Sequence, residues 1–246
     1  MIIDSHVHIG KTEKTKRSFT LETYYDLMKR NVIDKSIVMP NLSNIINTSI
    51  LNEQLINEYL SSDLKEKFGV LIVIDPRDRT TLKQIDMYGD IICGLKYHPS
   101  ISETILDSPE MNDFLVCAAE LGFPILIHCG RHWRSDVKYL VKTAKKFKTI
   151  NFIAAHLAGN ATDIIEKSID ILAVEKLNNI YLDTSAGKLP WLIEKAINNI
   201  GIDKIIFGSD EPYADLRIAK YCVELCDITD NDKDKLFYKT AVGIYK

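Results

Sequence analysis

The chain lacks most of the features that mark specialised protein classes. It has only five cysteines, Cys93, Cys117, Cys129, Cys222 and Cys226. Their number is odd and no Cys-x-x-Cys pair occurs, so neither a disulfide framework nor a structural zinc knuckle is indicated. Cys222 and Cys226 stand four apart on an expected helix and read as buried free thiols. No apolar string approaches the roughly 20 residues of a membrane span, and the longest, such as residues 69–74, fall far short. The start, Met1-Ile2-Ile3-Asp4-Ser5-His6, has neither the basic segment nor the apolar stretch of a signal peptide. A net charge of −3 offers no basic excess for nucleic acid. No low-complexity linker divides the chain. Gly10 alone does not make the glycine-rich first turn of a dinucleotide-binding sheet. The expectation is a reduced, soluble, cytoplasmic protein of one domain, with no membrane or nucleic-acid partner.

What is present is regular. Hydrophobic residues make up 46% and charged residues 26% of the 246, enough to fill a core. Eight short apolar runs, at residues 2–7, 35–39, 68–74, 91–97, 124–128, 150–156, 179–184 and 204–209, are nearly continuous in Ile, Val, Leu and Phe. Such runs suit strands buried on both faces of a parallel sheet. Amphipathic helical patterns lie between them, at residues 20–31, 43–61, 80–88, 109–121, 136–147, 162–177, 190–199 and 213–226, and a terminal helix is expected at 233–245. From His8 to Asp210 is 202 residues, roughly 29 per unit over seven units, close to a minimal βαβ repeat. Eight such units in a chain near the typical length of about 250 residues predict a single (β/α)₈ barrel with an extra C-terminal helix.

Histidine is scarce, and its placement is informative. All six, His6, His8, His98, His128, His132 and His156, fall at or just after the C-terminal end of an expected strand. In a barrel those ends converge on the face that carries active sites. A lone histidine is usually a satisfied core or surface residue; six placed together are harder to explain that way. His6 and His8, two apart on one strand, point to the same side. Asp4, by the same alternation, is expected one layer deeper, where a buried carboxylate orients an imidazole. His128 ends the fifth strand and Asp210 the eighth. Three imidazoles and a carboxylate suit zinc, with iron, nickel or manganese as alternatives. His156, at the end of the sixth strand, is left as an acid, a base or a further ligand. The bland reading of Asp210 is a helix N-cap, since Glu211-Pro212 follows it.

In order along the chain, Asp4-Ser5-His6-Val7-His8, Gly94-Leu95-Lys96-Tyr97-His98-Pro99, Pro124-Ile125-Leu126-Ile127-His128-Cys129-Gly130, Ala155-His156-Leu157-Ala158-Gly159, Leu182-Asp183-Thr184-Ser185 and Phe207-Gly208-Ser209-Asp210 resemble the amidohydrolase superfamily. They are most similar to its amidohydrolase-2 branch, with aminocarboxymuconate-semialdehyde decarboxylase-like proteins and pyrone-dicarboxylate lactonases. The resemblance implies a distorted barrel with His6, His8, His128 and Asp210 around a metal, and His156 as an acid–base or second-site ligand. It also implies that dimers occur among relatives, so a homodimer is an open expectation. Two departures stand out. The chain is short, with little room for long insertions, and Glu211 is not what the family places after the aspartate.

Further candidates come from loops. Lys11, Lys14, Lys16 and Arg17 form either a solvated surface loop or a cationic cover over an anionic substrate. Arg131, beside Trp133, is placed to grip a substrate carboxylate, or else packs locally. Lys96 and His98 on the fourth strand are expected to face substrate, with Lys96 an unmodified ammonium beside a single metal. Ser185-Ala186-Gly187-Lys188 lacks the wider spacing of a phosphate loop, though a helix start there is able to hold an anionic group. The leading expectation is metal-dependent hydrolysis of a small, carboxylate-bearing amide or lactone, with Asp210 and His156 as the proton-transfer groups. The alternative is non-oxidative decarboxylation of an unsaturated or aromatic acid. A silent barrel that only binds metal or ligand would need neither proton-transfer group.

Overall fold

A computed structural model describes residues 1–12, 15, 17–42 and 47–245. Eight parallel strands follow one another around a barrel in chain order: β1 Ile3–Ile9, β2 Lys35–Pro40, β3 Phe68–Ile74, β4 Gly94–Tyr97, β5 Ile125–Ile127, β6 Phe152–Ala154, β7 Ile180–Asp183 and β8 Ile205–Ile206. The expected runs correspond one to one with these strands. β8 is the shortest. Beyond it the chain leaves the regular ladder, because the Phe207 N–H donates to the Leu236 carbonyl at 2.9 Å in the terminal helical segment. Closure against β1 is made by separate hydrogen bonds: Ser5 N–H to Phe207 O at 2.9 Å, Asp210 N–H to His6 O at 2.8 Å and His8 N–H to Glu211 O at 2.7 Å.

Alternation along the strands sorts side chains into two layers. Val38, Val70, Ile72, Leu95, Ile125, Phe152 and Phe207 face outward and pack on the helices. Ile37, Met39, Leu71, Leu126, Ile153 and Ile206 face inward and fill the barrel. The lower end of this interior is stoppered by Ala241 and Ile244 of the terminal helix, which runs as Asp230–Asp234, Lys235–Lys239 and Thr240–Ile244 with a wide π turn at its centre. Towards the upper end the interior turns polar, with His6, Lys96, Asp183 and His156 all buried. Among the described residues no helix is long and apolar enough to cross a membrane.

β1 departs from simple alternation. Its register against β2 shifts between Asp4 and Val7, and a bulge of that kind reverses which parity faces inward. Ile3 therefore joins the inner layer with Ile37 and Ile206, while Asp4 turns outward to accept a 2.8 Å hydrogen bond from the Tyr24 hydroxyl of helix Leu21–Asn31. That helix opens with Thr20 as its cap, reciprocally bonded to Thr23. Helix Thr48–Ser61 begins later than the 43–61 pattern implied, and residues 43–46 lie outside the described part. The final barrel helix is also shorter than expected, Leu216–Glu224, and is capped by Asp215. Asp210 is therefore not its N-cap.

Inner-layer packing carries much of the stability. Leu126→Ala, at a fully buried inward position, should cost about 2–5 kcal/mol, read as a lower denaturation midpoint with an unchanged slope. A loss below 1 kcal/mol would mean that this layer is loosely packed.

Candidate metal centre and active site

Beyond the bulge, His6 and His8 both face the barrel mouth, with their Nε2 atoms 3.2 Å apart. His6 Nδ1 lies 2.8 Å from Asp183 Oδ2, and His8 Nδ1 lies 3.3 Å from the Pro40 carbonyl. A carboxylate and a carbonyl only accept, so each Nδ1 carries the proton and each Nε2 keeps a free lone pair. Asp210 Oδ1 completes a triangle, 3.5 Å from His6 Nε2 and 3.4 Å from His8 Nε2. Ligand bonds of about 2.0–2.2 Å in a tetrahedral site place donor atoms roughly 3.3–3.6 Å apart; the two separations to Asp210 fall in this range and the His6–His8 separation, at 3.2 Å, lies just below it, close to what one divalent cation requires. Three lone-pair donors converging in a buried pocket repel one another unless a cation sits between them. His6, His8 and Asp210 thus form a candidate ligand set.

The electrostatics follow from burial. Burial pushes His8 down to about 4, with neighbouring His6 adding to the effect against Asp210. Burial alone would raise Asp210, but the neighbouring His156, His8 and His6 together hold it well below the usual carboxylate range. Asp183 behaves alike: desolvation opposes ionisation, and the attraction and hydrogen bond of His6 overcome it. Lys96 is fully buried, with Nζ 3.1 Å from His6 Nε2. Desolvation lowers it to about 8, while Asp210 and Asp183 favour the ammonium.

His98, His128 and His156 also line the cavity, whereas His132 is exposed and does not reach it. His98 and His128 stack at 3.9 Å with their planes 10° apart, and His128 Nδ1 lies 3.2 Å from His156 Nε2. Burial drives His156 down to about 3. His128 therefore reaches the same cavity but stands outside the His6–His8–Asp210 triangle. His156 and Asp210 both occupy left-handed backbone, at φ 63° and 69°, and Leu157 and Ala158 continue that turn at 54° and 62°. Such conformations cost non-glycine residues about 1–3 kcal/mol each and persist where surrounding contacts impose them.

A cavity of about 160 Å³ lies over these groups, lined by His6, His8, Lys96, His156, Asp210 and, at its rim, Tyr213. Cavities of about 150 Å³ hold a benzene ring. His98 and Lys96 reach it as expected; Arg131 does not. Its side chain is 72% exposed and faces Asp163 across 3.8 Å on the surface. Arg17 turns to Glu211, at 3.0 Å, and to Asp215, while Lys14 and Lys16 lie outside the described residues. Asp4 accepts from the backbone N–H groups of Ser209 and His6 at 2.8 and 3.3 Å, and from Tyr24; burial raises it to about 6. It bonds to no imidazole ring. The carboxylate that does is Asp183, which the reading of the strand-seven motif left without a role. Lys188, also nearly buried and attracted by Asp183 and Asp210, was discounted with the phosphate-loop pattern.

The family model described as Amidohydrolase matches residues 3–246. Among curated proteins no sequence matches. Solved structures do. A 5-carboxyvanillate decarboxylase from Sphingomonas paucimobilis superposes with a TM-score of 0.79 at 12% identity, covering 99% of this chain and 98% of that one. A dihydroxybenzoic acid decarboxylase from Polaromonas, with bound manganese and 2-nitroresorcinol, gives 0.73 at 16% identity, covering 99% and 96%. A probable 2-pyrone-4,6-dicarboxylic acid hydrolase from Acinetobacter baumannii, with citric acid bound, gives 0.71 at 15% identity, covering 99% and 98%. At these identities the likeness is one of fold.

The triangle predicts that elemental analysis of His6→Ala or His8→Ala protein shows near-complete loss of the about one divalent ion per chain expected of such a site, with the circular dichroism of the fold retained. Full occupancy in either variant would remove that residue from the ligand set.

Proposed function

The chain belongs to the amidohydrolase family, and on that premise we propose that it is a metal-dependent hydrolase of a small, ring-sized acid carrying an amide or lactone. The observation that carries this is the convergence of His6 Nε2, His8 Nε2 and Asp210 Oδ1 beneath a cavity the size of one ring. We take His128, which lines the same cavity, as the fourth donor of the set. A divalent cation held there supplies Lewis acidity, polarising a carbonyl oxygen and lowering the pKa of water toward about 7. Zinc suits the imidazole-rich donors, and manganese is the ion bound in the Polaromonas relative.

The chain's own groups divide the remaining work. Asp210, kept ionised at the cavity floor, takes the proton of the attacking water and returns it to the leaving group. His156, neutral at physiological pH, accepts a hydrogen bond or proton from the reacting groups at Nε2 in exchange for the contact that His128 Nδ1 makes there at 3.2 Å. Lys96 forms no ion pair with a carboxylate among the described residues, and its ammonium is free to meet the substrate's acid group. Leu42, Ile101 and Tyr213 also line the cavity and add apolar surface to it.

A second reading has its own support. Full-length superposition on decarboxylases of hydroxylated benzoic acids favours non-oxidative decarboxylation of an aromatic or unsaturated acid in the same cavity, with Lys96 or His156 delivering the proton to carbon. A panel of small cyclic acids, amides and lactones scored separately for carbon dioxide release and for incorporation of labelled water separates the two. Hydrolysis with no carbon dioxide release is the expected result, and carbon dioxide release without water incorporation would transfer the assignment to the second reading.

Two variants test the roles. Asp210→Asn should lower kcat far more than it raises KM, because an amide is a poor base; wild-type turnover in this variant would end its proton-transfer role. Lys96→Met should raise KM for acidic substrates roughly ten- to a hundredfold, the value of a charge-assisted hydrogen bond of about 1.5–3 kcal/mol, with metal content unchanged. An unaltered KM would show that the acid group lies elsewhere.

A further inference from the structure

Ser185 sits immediately beyond β7 and is fully buried, and no role at the site has yet been given to it. Its hydroxyl oxygen accepts from the His156 backbone N–H at 3.2 Å and makes two further contacts of opposite kind. One is a short hydrogen bond to Asp183 Oδ1 and the other is to His156 Nδ1 at 2.7 Å. Asp183 Oδ1 also receives the backbone N–H groups of His156 at 2.8 Å and Ser185 at 3.0 Å, and Oδ2 receives His6 Nδ1–H at 2.8 Å. A carboxylate surrounded by donors has no proton to give, so the serine hydrogen must lie between Oγ and Oδ1. Ser185 Oγ then has only lone pairs to offer His156, and His156 Nδ1 must carry the hydrogen. The other nitrogen, Nε2, is bare in the neutral ring. It faces His128 Nδ1 at 3.2 Å, so that atom in turn carries the hydrogen, and His128 Nε2 is left with its lone pair. The reverse assignment would bring two unprotonated oxygens into short contact in a buried site, which is the costlier arrangement.

We propose that Ser185 is a positioning residue that fixes the tautomers of His156 and, through it, of His128, so that one carboxylate, Asp183, sets three imidazoles: His6 directly, and His156 and His128 through the serine hydroxyl. The consequence deepens the reading above. His128 is prepared as a nitrogen donor toward a cation rather than as a hydrogen-bond donor, and His156 presents an acceptor rather than an N–H. Asp4, which the sequence offered for ring orientation, has no part in this chain.

The tautomers are measurable without substrate or activity. The full chain, labelled with nitrogen-15 histidine and kept free of metal at about pH 8, where imidazoles are neutral, reports the protonated nitrogen of each ring through long-range nitrogen–proton correlations. His128→Gln and His156→Gln assign the signals. His128 and His156 should both show the Nδ1–H pattern in the wild type and in Ser185→Thr, which keeps the hydroxyl. In Ser185→Ala, His156 should shift toward Nε2–H and His128 should follow. Zinc affinity, measured by chelator competition, should fall about ten- to a hundredfold in Ser185→Ala and recover in Ser185→Thr. An Nε2–H pattern at either ring in the wild type would overturn the proposal, as would an unchanged Nδ1–H pattern in Ser185→Ala. Because the wild-type spectrum decides by itself, a variant that fails to fold does not shelter the idea. Failure of the metal reading would appear separately, as an absence of zinc binding with the tautomers as stated.

Discussion

The carboxylate of Asp183 stands where strands from three parts of the barrel meet. It is fully buried, and a buried charge without partners would destabilise the fold by several kcal/mol. It is tolerated because its oxygens accept from the His6 ring on β1, from the His156 backbone beyond β6, and from the N–H and hydroxyl of Ser185 just after β7. The constraint works in both directions. The donors keep Asp183 ionised, and Asp183 holds the donors in place. The left-handed turn at His156–Ala158 follows from this: the His156 N–H is drawn to Asp183, while its ring must also reach Ser185 and His128. A backbone conformation that isolated residues avoid is thus imposed by a buried carboxylate that needs donors.

A second constraint is the closure of β8 on β1. The triangle of donor atoms exists only because Asp210 is carried to within reach of two rings on the opposite edge of the sheet. Gly208 makes the approach feasible, since a Cβ at that position would lie 2.9 Å from His6 Cβ. Asp210 N–H and the Glu211 carbonyl then bond to the backbone of the histidines themselves, at His6 O and His8 N–H, and Asp4 secures Ser209 from the outer layer. Glu211 accepts from Arg17 and from the Leu216 N–H. It fastens the loop after β1 to the segment that carries Asp210.

The barrel was legible because eight apolar runs at near-constant spacing have few other packings. The histidine pair was legible for a similar reason, since residues two apart on a strand share a face whatever surrounds them. Asp4 shows the limit of that reasoning. Its position obeyed the same alternation until a bulge between it and Val7 turned it to the helical layer and Tyr24. A single extra residue in register reverses the prediction, and apolar periodicity does not reveal it. Asp183 and Ser185 were visible as a motif, but their role depends on distances between β1, β6 and β7 that no local pattern encodes. Loop cations were the hardest to place. Arg17 and Arg131 each had a carboxylate within reach, at Glu211 and Asp163, and a flexible guanidinium goes to whichever acceptor the fold leaves near it.

That disposition of charge bears on the substrate. With Arg17 and Arg131 engaged outside the cavity, the interior holds the carboxylates Asp183 and Asp210, the ammonium of Lys96 and, close to both carboxylates, that of Lys188. Asp183 is already saturated by donors, and Asp210 Oδ1 points at the two ligand nitrogens. Lys96 has its polar contact at His6 Nε2, 3.1 Å away, and that lone pair serves one partner at a time. On the proposed reading, His6 Nε2 would hold the cation, Lys96 would lose that hydrogen bond, and the buried cluster would carry net positive charge. A buried ammonium is then left in need of an acceptor, close to a dication that repels it. An acidic substrate satisfies both demands, because its carboxylate accepts from Lys96 and compensates the excess positive charge. Metal loading and the binding of an anion are therefore expected to reinforce one another. A neutral substrate of the same shape would leave Lys96 unsatisfied, which gives the cavity a preference for acids that its size alone does not supply.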